Sequence, residues 1–150
     1  MTGSLATMGP RGALRIDEKP KGAPAAGPLD VSGLCFSWLN RDGGSSGGTL
    51  RLAVSEAEGG LRVHGFGAAG EIRAQPFDWG EVDATPLAQD AGGDRAWAFT
   101  CRFDFGFMST DVAAYGKEGI LIAASFNAFA EGDARAAYWT REFFRREGPR

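Results

Sequence analysis

From about Leu34 to the last residues, the chain is a succession of short segments with alternating apolar and polar side chains, broken by glycine-rich turn signals and without helical periodicity between them. This pattern constrains the fold more than any other feature of the sequence. Neighbouring strands joined by tight turns pair antiparallel, and a long run of them closes on itself or stacks as a sandwich, so either outcome encloses a compartment. Eight strands are expected, at Leu34–Arg41, Gly48–Ser55, Leu61–Gly67, Trp79–Thr85, Ala96–Phe105, Phe107–Tyr115, Gly119–Asn127 and Ala136–Phe144. The breaks between them include Asp42 to Gly47, Glu58-Gly59-Gly60, Asp90 to Asp94, Gly116-Lys117-Glu118 and Glu131-Gly132-Asp133. Glycine supplies the positive φ that tight hairpins require. The expected fold is all-β, a single antiparallel up-and-down meander barrel of about eight strands.

Residues 1–30 are rich in Pro, Gly and Ala and bury too little apolar surface to offset their ordering entropy, so they read as a flexible tail ahead of a barrel domain at 31–150. In this tail only Leu14 and Ile16 suggest a local turn or added strand. The 150 residues suit one domain, and 43% hydrophobic side chains support a packed core. A formal net charge of -3 without a basic stripe argues against nucleic acid, and no apolar run is long enough to span a bilayer as a helix. Met1 to Pro10 lacks the basic start and apolar run of an export signal, so the expected location is the cytoplasm.

The period-2 faces predict an apolar interior. Leu34, Phe36 and Trp38 share a face that ends at Asn40; Leu50, Leu52 and Val54 share another; Trp97, Phe99, Cys101, Phe103 and Phe105 form the heaviest stripe. Ile120, Ile122 and Phe126 continue the apolar pattern against Ala123, Ser125 and Asn127, while the last strand carries aromatics in both phases. Cys35 and Cys101 fall on the first and fifth strands, opposite walls of a barrel roughly 16 Å across. A disulfide needs Cα atoms within about 7 Å, so they read as two reduced thiols, with a redox pair as the minor alternative.

In a meander, alternate loops share an end. Residues 42–47, 68–78, the turn at Gly106 and 128–135 therefore lie together, and the greater length of these links marks that end as the mouth. Its rim is expected to hold Asn40, Arg41, Phe66, Asp78, Trp79, Phe105, Phe107, Phe129 and Tyr138.

Trp38-Leu39-Asn40-Arg41-Asp42-Gly43 resembles the W-x-N-x-x-G start of avidin-type meander barrels, within the calycin group. The resemblance implies that Asn40 orients a polar group of a ligand; the other ligand contacts of that family have no counterpart, so no biotin site follows. Read without the resemblance, Trp38 plugs the barrel and Asn40 opens a turn. Val63-His64-Gly65-Phe66-Gly67 followed by Phe77-Asp78-Trp79-Gly80 resembles small bacterial barrels, which implies no activity. His64 is the single histidine and points outward by phase, as a surface or interface residue, with Asp78 beside it only if loop 68–78 folds back. With one histidine, no metal site is expected and no cofactor is implied. Asp104, Asp111, Arg141 and Glu142 are candidates for an interior polar cluster able to do acid–base work, against outward salt bridges as the ordinary alternative.

These features favour a container for a small apolar or aromatic molecule, with Trp38, Asn40, Trp79, Trp97, Phe103, Phe107 and Tyr138 as the expected ligand-binding residues. Two rivals stay open: a cyclase or isomerase that works by shaping its substrate, and a protein-interaction or homo-oligomerisation module using the aromatic last strand.

Overall fold

A computed structural model of the chain describes residues 27–43, 48–68 and 77–148. Eight antiparallel strands follow one another around a closed barrel in chain order: β1 (Ser37–Asn40), β2 (Thr49–Ala57), β3 (Gly60–Gly67), β4 (Phe77–Leu87), β5 (Ala98–Asp104), β6 (Met108–Lys117), β7 (Ile120–Phe129) and β8 (Tyr138–Arg146). The expected meander barrel is the observed fold, and no helix occurs among the described residues. Tight hairpins set the order: Glu118 at φ 53° and Gly119 at φ 81° form the two-residue turn between Lys117 and its partner Ile120. The expected tail at residues 1–26, with Leu14 and Ile16, lies outside the described residues, as do 44–47 and 69–76 of the expected rim loops.

Residues 27–30, assigned to the tail from composition, are packed at their C-terminal end. The Asp30 N–H donates to Asp94 O at 2.9 Å, Ala96 N–H donates to Asp30 O at 2.8 Å, and Leu29 lies against the core. Val31 and Leu34 are buried just after them, so this segment covers one end of the barrel and Leu34 precedes β1 instead of starting it. Trp38 lies fully buried behind it, its Nε1–H donating to Leu34 O at 2.9 Å. Phe99, Phe103, Phe144, Leu52, Leu61, Leu121 and Val63 complete the packed interior, each fully buried side chain of this kind contributing roughly 1.5–3 kcal/mol.

Three of the expected faces are corrected. On β7 the inward residues are Leu121, Ala123, Ser125 and Asn127, while Phe126 is 52% exposed opposite the equally outward Trp139. Beyond Leu121 the inward phase of β7 carries the smaller residues, set against an interior occupied by Trp38, Phe99, Phe103 and Phe144, and Ile120 and Ile122 lie on the outer face. On β2 the register shifts between Thr49 and Arg51, leaving Leu50 as the extra residue and turning Thr49 inward with Leu52 and Val54. Trp97 lies before β5, exposed and stacked on Tyr115 at 4.9 Å between ring centroids. Cys35 and Cys101 are free thiols; burial pushes the Cys101 thiol up to about 12, so it is an inert part of the core.

The barrel closes where β1 meets β8, through Trp38 opposite Arg146, Leu39 opposite Arg145 and Asn40 opposite Phe144. Glu147 clasps this seam from outside, accepting from Ser37 Oγ at 2.8 Å and pairing with Arg51 of β2 at 2.7 Å. Charged residues occupy the outer face elsewhere as well, as in the Arg62–Glu81 and Arg102–Asp111 pairs.

Candidate functional site

The inward positions taper along the barrel. From one end to the other β3 carries Leu61, Val63, Gly65 and Gly67, and β7 carries Leu121, Ala123, Ser125 and Asn127. On β8 the same face runs Phe144, Glu142, Thr140, and on β1 it runs Trp38 then Asn40. Large apolar side chains thus fill the end covered by residues 31–36. On these four strands small or polar ones line the other, which is the end expected to be the mouth. There the described residues frame an open cavity of about 350 Å³, within the range of small-molecule sites.

The cavity has two unlike sides. Phe77 and Trp79 from β4, with Phe105 and Phe107 from the turn after β5, form an aromatic side. Trp79 is set by a bulge: Gly65 pairs with Gly80 but Phe66 pairs with Asp78, so Trp79 is the extra residue, with Gly80 at φ 83° beside it. Its indole lies on the bare backbone of β3. A Cβ on Gly65 would meet Trp79 Cε3 at 2.7 Å and Phe103 Cζ at 2.8 Å, and one on Gly67 would meet Trp79 Nε1 at 2.6 Å. Phe103 and Phe105 close edge-on against the same indole, with centroids 5.2 and 5.5 Å away.

The opposite side is polar. Thr110 Oγ1 donates to Asn127 Oδ1 at 2.7 Å, and Thr49, Ser125, Thr140 and Glu142 complete the surface. Asn40 is fixed from every direction: its amide nitrogen donates to Thr49 O and to Glu142 Oε2, both at 2.8 Å, and its Oδ1 accepts from Asp42 N–H at 2.9 Å. Asn40 therefore opens a turn and also holds the carboxylate. Burial pushes the Glu142 carboxyl above the usual carboxylate range, an effect only partly offset by hydrogen bonds from Thr49 and Asn40. At the rim Arg135 lies over the Phe129 ring at 4.1 Å and the Phe107 ring at 5.9 Å. It also grips Asp133 at 2.7 Å, holding that carboxyl at about 2 through side-chain and backbone hydrogen bonds.

Of the expected ligand-binding residues, Trp79, Phe107 and Tyr138 line the cavity. Phe103 lies buried beneath Trp79, and Asn40 lies behind Glu142. Trp38 and Trp97 do not join them: they border a separate, more polar pocket of about 380 Å³ at the covered end, where Trp38 is the plug. Among the expected rim residues, Phe66 faces outward and stacks on His64 at 4.4 Å. Asp78 belongs to β4 and bonds His64 Nε2 at 2.6 Å on the outer face, because strand pairing, without any folding back of a loop, brings the two together. Hydrogen bonds from His64 and from Gly80 N–H hold the Asp78 carboxyl below the usual range. Of the proposed polar cluster only Glu142 is interior. Asp111 pairs with Arg102 outside, Asp104 accepts from Gly106 N–H at 2.9 Å, and Arg141 lies exposed over Phe143.

Thr49, Thr110, Ser125, Asn127 and Thr140 had not been singled out; their signal was the loss of apolar character at one end of each alternating phase. Among the described residues no group of three or more His, Cys, Asp or Glu side chains converges as metal ligands would. No protein-family model, curated protein or solved structure matches the chain.

Proposed function

We propose that the barrel binds a small, largely flat apolar or aromatic molecule in the cavity at its open end. The observation that carries this reading is the cavity of about 350 Å³ with an aromatic side on β4–β5 facing a hydrogen-bonding side on β6–β8. One side supplies dispersion and stacking; the other fixes orientation through a few polar groups. A calycin-type container in the cytoplasm belongs to the same proposal. Its supports are the closed meander, the two unpaired thiols, and outer-face pairs such as Arg102–Asp111, which invert the apolar exterior of a membrane barrel.

Acid–base catalysis by Glu142 is the second reading. It is favoured by a carboxyl group whose pKa burial raises, set beside a cavity able to shape a substrate.

The neutral fluorophore N-phenyl-1-naphthylamine tests the first reading. One equivalent is expected to bind with enhanced emission, and Trp79→Ala or the cavity-filling Ser125→Phe should weaken binding by about tenfold or more, on the scale of a lost aromatic contact. The outward substitution Trp139→Ala should leave it unchanged. Equal binding by wild type, Trp79→Ala and Ser125→Phe would place the dye elsewhere and remove the proposal.

A further inference from the structure

We infer that the ligand of this cavity carries a protonated nitrogen, which Glu142 receives while the flat apolar part of the molecule lies against Trp79, Phe105 and Phe107. The inference rests on the reading of the cavity as a small-molecule site and narrows it to a chemical class. Its basis is the charge balance around Glu142. Both hydrogen-bonding residues that reach the carboxylate, Asn40 and Thr49, are neutral. Asn40 has no freedom to do more, since its amide hydrogens go to Glu142 and Thr49 O and its oxygen accepts from Asp42 N–H. A carboxylate offers about four acceptor sites, so capacity remains on the cavity side.

No described residue supplies the missing positive charge. Glu142 and Asp78 are the charged residues among those lining the cavity, and both are acidic. Asp78 spends its carboxylate on His64 and Gly80 N–H at the outer face, and Asp42 adds negative charge from the end of β1. Arg141, next to Glu142 on β8, faces out over Phe143, and Arg135 at the rim is bound to Asp133. An anionic ligand would be repelled, and a neutral one would leave the carboxylate uncompensated. An ammonium group supplies both charge and N–H donors, and the π faces across the cavity favour it as well.

Three probes of matched shape separate the possibilities: 1-naphthylmethylamine as the cation, 1-naphthalenemethanol as the neutral form and 1-naphthoate as the anion, each titrated calorimetrically into the full chain near neutral pH. The amine should bind about tenfold or more tighter than the alcohol, as a charge-assisted hydrogen bond implies, with the naphthoate weakest. In Glu142→Gln the amine and alcohol should become equal while the alcohol keeps its wild-type affinity. In the wild type the amine's advantage should fade as the pH falls through the Glu142 pKa, and this serves where the variant does not fold. Equal binding of amine and alcohol to the wild type, tighter binding of the naphthoate, or an advantage independent of pH would overturn the inference and leave the small-molecule site standing. No binding by any probe, up to its solubility, would remove both. Arg73 lies outside the described residues; an amine preference that emerged only in Arg73→Gln would mean that the chain's own guanidinium occupies the carboxylate, and would also overturn the inference.

Discussion

The two ends of the barrel are made by the same eight strands, yet inside one large apolar side chains pack together, while at the other the described residues frame a cavity. At the covered end Trp38, Leu34, Leu61, Leu121 and Phe144 are buried to within 1% of complete, and residues 31–36 lie across them. At the open end the same inward phases carry Gly67, Thr49, Asn127 and Thr140. The ends differ in their inward side chains and in strand pairing, since both bulges, at Leu50 and Trp79, fall at the open end. A barrel of this kind divides its labour along the axis, with apolar packing at one end supplying stability that lets the other keep buried polar groups and empty volume.

The sharpest way to break this comparison is to exchange the roles of its tryptophans. Trp38→Ala removes the plug and should cost about 3–5 kcal/mol by urea denaturation, while the folded fraction still binds N-phenyl-1-naphthylamine. Trp79→Ala should show the reverse, with the larger loss in binding. Stability nearly untouched by Trp38→Ala would show that the covered end is not the stabilising one. A smaller effect is expected from Gly67→Ala. Its Cβ would stand 2.6 Å from Trp79 Nε1, so the indole must shift, at a cost of about 1–3 kcal/mol. Dye affinity should fall with it, and unchanged affinity would separate Trp79 from the site.

The smallest effect concerns Glu142 and has a definite sign. Its folded pKa lies above the ordinary value because burial disfavours the charged form. The folded protein therefore binds this proton more tightly than the unfolded chain does. The associated stability is complete below the unfolded pKa and is lost as pH rises through the folded one. Wild type should accordingly lose stability relative to Glu142→Gln as the pH is raised through that window, with the difference read from paired denaturation curves. Parallel curves across the window would show that the carboxyl is not burdened by burial.

The meander was legible because turn chemistry and link length are local properties. Glu118-Gly119 and the long stretch ahead of Phe77 can be read without knowing what packs on them. Side-chain direction was less legible where the rule of alternation was interrupted or outweighed. The bulges at Leu50 and Trp79 each insert one residue and reverse the phase on one side of it, which hydropathy alone does not show. On β7 the bulkier phase, Ile120, Ile122 and Phe126, lies outside, while the interior is occupied by aromatic residues from distant strands. Glu142 was a candidate on sequence. What singled it out from Asp104 and Asp111 was its shared phase with Phe144, a signal masked by the aromatic residues in the other phase of β8. Residue type alone groups Trp38 and Trp97 with the ligand, whereas their place at the covered end, on β1 and just before β5, sets them apart from the cavity.

The seam between β1 and β8 also bears on how fast the chain can reach this state. Every other pairing joins strands adjacent in sequence and can form as a local hairpin, but Trp38 must find Arg146 from nearly the opposite end of the domain. The loop-closure entropy of that contact must be met before its own interactions return anything, and β1 offers four residues with which to do so. The seam is therefore the expected final step of folding and the rate-limiting one. Glu147, reaching over β1 to Arg51, sits where it can act as a latch on the completed cylinder by slowing its reopening.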